Sequence, residues 1–257
     1  MTTSPTVVVL SPALERYLWV HRLETGAIHR PVRVEVTAGG KGVHVALAAR
    51  RLGLASIRLA GIVGGPTGEQ IKALWADRQV TSHWTPGGRD TRVCTCIVDE
   101  TEQAMTEFYE PPTPVSGAEW AALTAGVHDG LPPASGAIVA LSGSVPGSVA
   151  PEDFAGFVRR LGQRGAVTML DTGLAYLAAA LECRPDWVKV NAEEARAVCG
   201  SGDTGSLEGI AGLARELRHR GAGNAVVTAG GFWAVGAPGG RARGALSAPG
   251  GGRGRAG

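Results

Sequence analysis

Ala38-Gly39-Gly40-Lys41-Gly42-Val43-His44-Val45-Ala46-Leu47 follows a β-like run, Val32 to Val36, and passes into a helical pattern with apolar residues at Val43, Ala46 and Leu47. The first turn of such a helix has backbone N–H groups without intrahelical partners, and here a lysine stands beside them. That combination favours an anion. Spacing excludes a Walker A loop, which needs four residues between its first glycine and the Gly-Lys-Ser/Thr, and it excludes a dinucleotide fingerprint as well. A plainer reading stays open: the glycines permit close helix–sheet packing, and Lys41 is a surface charge.

Outward from this turn, Val7 to Leu10 reads as a short buried strand and Ser56 to Val63 as another. Leu18 to Val20, Val32 to Val36, Arg92 to Val98 and Met105 to Tyr109 read as strands of a smaller sheet. Strands at Ala137 to Leu141, Ala166 to Leu170, Trp187 to Val190 and Ala225 to Thr228 then alternate with helical segments. In one of these Phe154, Phe157, Val158 and Leu161 fall on one face; others are Leu174 to Leu181 and the run marked by Leu207, Ile210, Leu213 and Leu217. Phe232 to Val235 reads as a hairpin partner. Crossovers of this kind imply a largely parallel sheet in an α/β fold, with ligands outside the carboxyl ends of its strands.

A chain of 257 residues is within the range of one α/β domain, and one domain is expected. The 25 Lys and Arg against 23 Asp and Glu provide no basic field, so nucleic acid is not an expected partner. No charged leader precedes an apolar stretch and no run of 18 apolar residues occurs, which predicts a cytoplasmic protein without membrane segments. Cys94, Cys96, Cys183 and Cys199 lack zinc or disulfide spacing, and Cys94 and Cys96 read as buried thiols on one strand face. From Gly236 to Gly257 there are many glycines and arginines and no aromatic residue. Residues 237–257 are therefore expected to be a disordered Gly/Arg-rich tail without helix or strand.

Polar clusters stand at the strand ends: Ser142-Gly143-Ser144, Asp171-Thr172-Gly173 and Asn191-Ala192-Glu193-Glu194. They predict one crevice. Asn191 and Glu194 have capping-box spacing, and the same carboxylate could hold waters of Mg²⁺. Lys189 reads as a phosphate-neutralising or simply solvated lysine, and Arg92 as a bidentate phosphate grip or a surface arginine. His44 reads as a packed or exposed histidine. Ser142-Gly143-Ser144 lacks the G-x-S-x-G turn of a nucleophile elbow.

Ser11-Pro12-Ala13-Leu14-Glu15, AGGKGVHVALAARRLG (Ala38 to Gly53), GIVGGPTGEQI (Gly61 to Ile71), TRVC (Thr91 to Cys94), LSGSVP (Leu141 to Pro146), WVKVNAEE (Trp187 to Glu194) and VVTAGGFWAV (Val226 to Val235) together resemble the ribokinase-like carbohydrate kinases, in family order. The branch they resemble contains 1-phosphofructokinase and tagatose-6-phosphate kinase. The resemblance implies a three-layer α/β sandwich with a mostly parallel central sheet in residues 1–236, and a small β-sheet lid inserted near 18–36 and 92–109. It implies an ATP-dependent phosphotransferase acting on a hexose phosphate hydroxyl, fructose 1-phosphate to fructose 1,6-bisphosphate, with Mg²⁺. Carried onto this chain, Glu15, Gly39, Gly40, Lys41, Gly42, Arg92 and Ser144 would bind the sugar phosphate. Lys189, Asn191, Thr228 and Gly230 would border ATP, and Asn191 and Glu194 would organise Mg²⁺ through water. A homodimer through the lid is a further implication.

Three departures from the family pattern bear on the site. Ser11 and Glu15 stand where the family has Asn and Asp, and Cys94 stands where an Asn commonly follows the lid arginine. The Gly-Ala-Gly-Asp text that carries the family's catalytic base is absent, so no catalytic base is identified and the fold is expected to be C-terminally incomplete. Gly251-Gly252-Arg253-Gly254 has the composition expected of a reading-frame slip through that motif. The alternative function is a remnant that binds a sugar phosphate or nucleotide without turnover.

Overall fold

A computed structural model describes residues 4–76, 80–132, 136–230, 233–239 and 244–247. By contacts the chain divides into two compact units, Met1–Ala150 and Pro151–Gly257.

The first unit begins with β1 (Thr6–Val9), β2 (Ala13–Val20), β3 (Arg33–Gly39), α1 (Lys41–Arg51), β4 (Arg58–Gly64) and α2 (Gly65–Ala76). It continues with β5 (Thr81–Gly87), β6 (Val93–Asp99), β7 (Ala104–Tyr109), α3 (Gly117–Asp129) and β8 (Ile138–Ser142). Strands β8, β1, β4 and β5 lie side by side and are all parallel. Alternate residues of these strands divide between two faces. Val7, Val9, Leu59 and Val63 pack with Val43 and Ala46 of α1 and Ile71 and Trp75 of α2. Arg58, Ala60, His83 and Thr85 line a cavity of about 190 Å³ with Leu123 and Val127 of α3. Helices thus cover both faces, giving three layers. The smaller sheet runs β3-β2-β6-β7, with β2 antiparallel to β3, parallel to β6, and β6 antiparallel to β7. Cys94 and Cys96 of β6 are buried, and burial pushes both thiols up, Cys96 to about 11.

The second unit comprises α4 (Pro151–Gln163), β9 (Val167–Asp171), α5 (Leu174–Leu181), β10 (Trp187–Asn191) and α6 (Ala192–Cys199). After these come α7 (Leu207–His219), β11 (Asn224–Ala229), β12 (Trp233–Ala237) and β13 (Gly244–Ser247). Strands β9, β10 and β11 are parallel, and β12 and β13 continue the sheet antiparallel. Helix α4 starts with Pro151, Glu152 and Asp153, a start favoured by the fixed proline φ and the helix dipole, and buries Phe154, Phe157, Val158 and Leu161. Helix α7 is capped by Ser206, whose side chain accepts from Gly209 N–H.

Four elements depart from the sequence reading, which placed no helix at α2 or α3 and no strand at β5 or β13. Strand β13 lies inside the span 237–257 that composition leaves without helix or strand, because pairing to β12 needs only backbone N–H and C=O groups. Residues 248–257, with Gly251-Gly252-Arg253-Gly254, lie outside the described residues, as does Phe232 of the expected hairpin. Strand β5 holds Thr81, Ser82, His83 and Pro86, a poor strand composition, and forms along the edge of β4.

Candidate functional site

In the first unit, α1 begins without a side-chain cap: Gly40 occupies the N-cap position at φ 99° and the first turn has no acidic residue. A Cβ on Gly40 would stand 2.8 Å from the Ser11 carbonyl, and one on Gly42 would stand 3.0 Å from Val9 Cα. Close helix–strand packing is therefore one use of these glycines. The other is electrostatic: the first turn of α1 carries no acidic residue of its own, and the anion it meets is the Glu15 carboxylate at Gly40 N–H.

Glu15 of β2 reaches this turn and is 7% exposed. Its Oε1 accepts from Gly40 N–H at 3.0 Å and lies 3.0 Å from His44 Nε2, while Oε2 accepts from the Tyr17 hydroxyl at 2.9 Å. Burial pushes the Glu15 carboxyl up, but the hydrogen bonds from His44, Gly40 and Tyr17 outweigh it and hold the group below its ordinary value. The same hydrogen bond to Glu15 raises His44 against an opposing burial effect. Burial and the bond to Glu15 raise Tyr17.

Arg92 lies immediately before β6. Its guanidinium donates to Glu110 O at 2.8 Å and Ser11 O at 3.3 Å, and its buried Nε has no hydrogen-bond partner among the described residues. The buried hydroxyl of Ser11 is also without a partner among the described residues. A Cβ on Gly143 would stand 3.7 Å from Ser11 N and 3.9 Å from Lys41 Cβ, so the loop after β8 closes against the same point. Arg92 thus reaches Ser11, and Lys41 opens α1 directly after Gly40, which packs against the Ser11 carbonyl. Ser144 follows in that loop and is exposed.

In the second unit the polar residues stand at the carboxyl ends of β9, β10 and β11. Asn191 and Glu194 form a complete capping box: Asn191 Oδ1 accepts from Glu194 N–H at 2.8 Å and Glu194 Oε2 accepts from Asn191 N–H at 2.9 Å. Asn191 pairs in register with Thr228, whose hydroxyl donates to Val190 O at 3.4 Å. Lys189 shares the strand face of Asn191 and meets Asp171 at 3.3 Å, 47% and 16% exposed respectively. Gly230, at φ 57°, follows β11. The Thr172 hydroxyl is buried with no partner among the described residues.

No group of three or more His, Cys, Asp or Glu able to hold a metal occurs among the described residues. Glu194 Oε2 is committed to its cap, and its Oε1 faces Gly173, 3.6 Å from where a Cβ would stand. A donor set of this kind fits Mg²⁺ that keeps its own waters and takes phosphate oxygens, and does not fit an all-protein cage.

Sequence reasoning took His44 for a packed or exposed histidine and passed over Tyr17. His44 stands three residues after Lys41, on the same side of a helix, and Tyr17 stands two after Glu15, on the same side of a strand. Those spacings were visible; the contact with Glu15 was not.

The model of the pfkB family carbohydrate kinases matches residues 6–235. A 1-phosphofructokinase of Xanthomonas campestris pv. campestris is 31% identical over 219 residues, covering 82% of this chain and 67% of that protein. A 1-phosphofructokinase of Rhodobacter capsulatus is 31% identical over 238 residues, 91% of this chain and 73% of that one. Among solved structures, phosphofructokinase-2 from Escherichia coli in complex with fructose-6-phosphate superposes with a TM-score of 0.86 at 24% identity, covering 96% of this chain and 80% of that chain. A possible 1-phosphofructokinase from Thermotoga maritima gives 0.79 at 21% identity, covering 92% and 75%. No helix among the described residues is long and apolar enough to cross a membrane.

Proposed function

Because this chain belongs to the pfkB family of carbohydrate kinases, we propose that it transfers the γ-phosphoryl group of ATP to a hydroxyl of a hexose phosphate, fructose 1-phosphate becoming fructose 1,6-bisphosphate. The observation that carries the substrate class is the bond from Arg92 to Ser11 O beside the start of α1, whose first residue is Lys41. Two cations at a helix start suit a sugar that already carries a phosphate.

The transfer breaks the bond between the γ-phosphorus and its β-bridging oxygen and forms one to the sugar oxygen, releasing ADP. Charge neutralisation and positioning carry most of such a reaction. In this reading Lys41, Arg92, Ser144 and the glycine turn hold the sugar phosphate. Lys189, Asn191, Thr228 and Gly230 border ATP, and Glu194 with Asn191 orients the waters of Mg²⁺, which supplies neutralisation of phosphate charge when bound. The hydroxyl proton needs an acceptor, and the Gly-Ala-Gly-Asp text that would provide it by resemblance is not in the sequence. The role of base is assigned to none of the residues named here. A general base contributes about 10²- to 10⁴-fold to such a reaction. The second reading is binding of a sugar phosphate or nucleotide without turnover.

ATP consumption with fructose 1-phosphate, tagatose 6-phosphate, fructose 6-phosphate and unphosphorylated sugars, run beside calorimetric binding, tests both. Preference for an unphosphorylated sugar overturns the substrate class; binding of fructose 1-phosphate with no turnover selects the second reading. A homodimer through the small sheet is part of the proposal, supported by exposed Val34 on β3 and Met105, Phe108 and Tyr109 on β7. Sedimentation giving one chain's mass at micromolar concentration would exclude it.

A further inference from the structure

We propose that His44, clamped by Glu15, is a recognition residue for the anionic substrate held at the start of α1, and that Glu15 positions this imidazole instead of taking the sugar's hydroxyls as its principal task. The inference rests on the reading that this turn receives a sugar phosphate.

The geometry divides the work between the two side chains. A carboxylate has about four acceptor positions. Glu15 fills three of them with protein donors: Gly40 N–H and His44 Nε2 on one oxygen, the Tyr17 hydroxyl on the other. The carboxylate is also wedged against Gly39, where a Cβ would overlap it. It is therefore buried, nearly saturated and held in one orientation. His44 is the opposite kind of group: its side chain is 53% exposed, against 9% for that of Glu15. With Nε2 turned to the carboxylate, Nδ1 has no partner among the described residues and is the nitrogen left to donate.

The surroundings favour a charged ring. Of the strands packed against α1, β1 and β8 carry no ionisable side chain, and β3 carries Arg33 and Glu35, which pair with each other. From β2 the ring meets Glu15, with Tyr17 behind it, and Cys94 and Cys96 of β6 lie within electrostatic reach of Glu15 with their thiols held protonated by burial. On its own helix the nearest charge is Lys41, one turn back. Tyr17 is neutral across the physiological range, so among the described residues Glu15 is the one anion facing the ring, and its hydrogen bond raises His44. A third cation therefore stands one turn from Lys41 at acid pH and fades as pH rises, later than for an unperturbed imidazole.

Calorimetry on the full chain with fructose 1-phosphate, from about pH 5.5 to 9, tests this, together with the ring C–H resonances of His44 followed by NMR. Wild-type affinity should fall about tenfold through the titration of His44, the size expected for one charge-assisted hydrogen bond. His44→Gln should flatten that fall to the slope set by the phosphate's own second ionisation, and His44→Asn should behave alike. Glu15→Gln should move both the His44 resonances and the affinity inflection to lower pH together. Lys41→Gln separates the two claims. If wild type binds, Lys41→Gln does not, and His44→Gln keeps the wild-type pH slope, the site stands and the role of His44 falls. If Glu15→Gln abolishes binding while His44 titrates unchanged, Glu15 itself meets the substrate and the positioning role is overturned. Absence of binding by wild type at every pH overturns the site and this inference with it.

Discussion

A side chain at Gly39 requires Glu15 to move, because a Cβ there would overlap Cγ, Cδ and Oε1 of Glu15. Gly39→Ala should push the carboxylate off Gly40 N–H, cost about 1–3 kcal/mol in a denaturant titration and abolish fructose 1-phosphate binding. The Glu15–His44 pair also sets a pH window for stability. Glu15 lies below its ordinary 4.5 in the folded chain, so its contribution is present above that value and lost as pH falls through the folded pKa. His44 lies above its ordinary 6.5, so its contribution is full below that value and lost as pH rises through the folded pKa. The pair is complete between the two, and Glu15→Gln should lower the unfolding midpoint most between about pH 4.5 and 6.5. A midpoint difference from wild type that is the same at pH 3, 5.5 and 9 would contradict this assignment.

At the level of elements, α6 has only eight residues and depends on how it starts. Asn191 closes one half of its capping box and stands in register with Thr228 on β11. Asn191→Ala should cost about 1 kcal/mol by denaturant unfolding, the usual loss for a cap, and should weaken ATP binding more than fructose 1-phosphate binding. Equal weakening of both ligands would show that the variant acts through general stability alone. Helix α3 offers a control within the first unit: Ser116 and Glu119 make the same reciprocal box, and Glu119 also accepts from Gly88 N–H at 2.5 Å. Ser116→Ala should cost a similar amount of stability and leave ATP binding unchanged.

For the whole molecule, ligand linkage gives a readout that does not require turnover. A ligand bound only by the folded chain stabilises it by about 2.7 kcal/mol at one hundred times its dissociation constant. Thermal unfolding should therefore shift upward with ATP and Mg²⁺ and, separately, with fructose 1-phosphate. Lys41→Met should remove the second shift and keep the first. Loss of both shifts together, or of neither, would be inconsistent with separate sugar-phosphate and nucleotide residues in the two units.

Sequence alone determined what short spacing can encode. The helix faces of α4 and α7, the strands from β8 to β11 and the Asn191/Glu194 box are legible because each signal lies within three or four residues, the reach of one helical turn or one cap. The close packing of the glycine turn before α1 was legible too. Tertiary structure decided the rest. Glu15 and His44 are 29 residues apart, and Arg92 reaches Ser11 across 81, separations at which no local period says which groups will meet. Strands β5 and β13 have poor strand compositions, and they form because the open edges of β4 and β12 supply backbone partners that take no account of side chains. The division into two units is likewise a property of contacts and not of composition. A carboxylate buried against glycine, with three protein donors and a histidine turned outward, exists only once β2, β3 and α1 have packed, because hydrogen bonds of that kind are made by proximity in space.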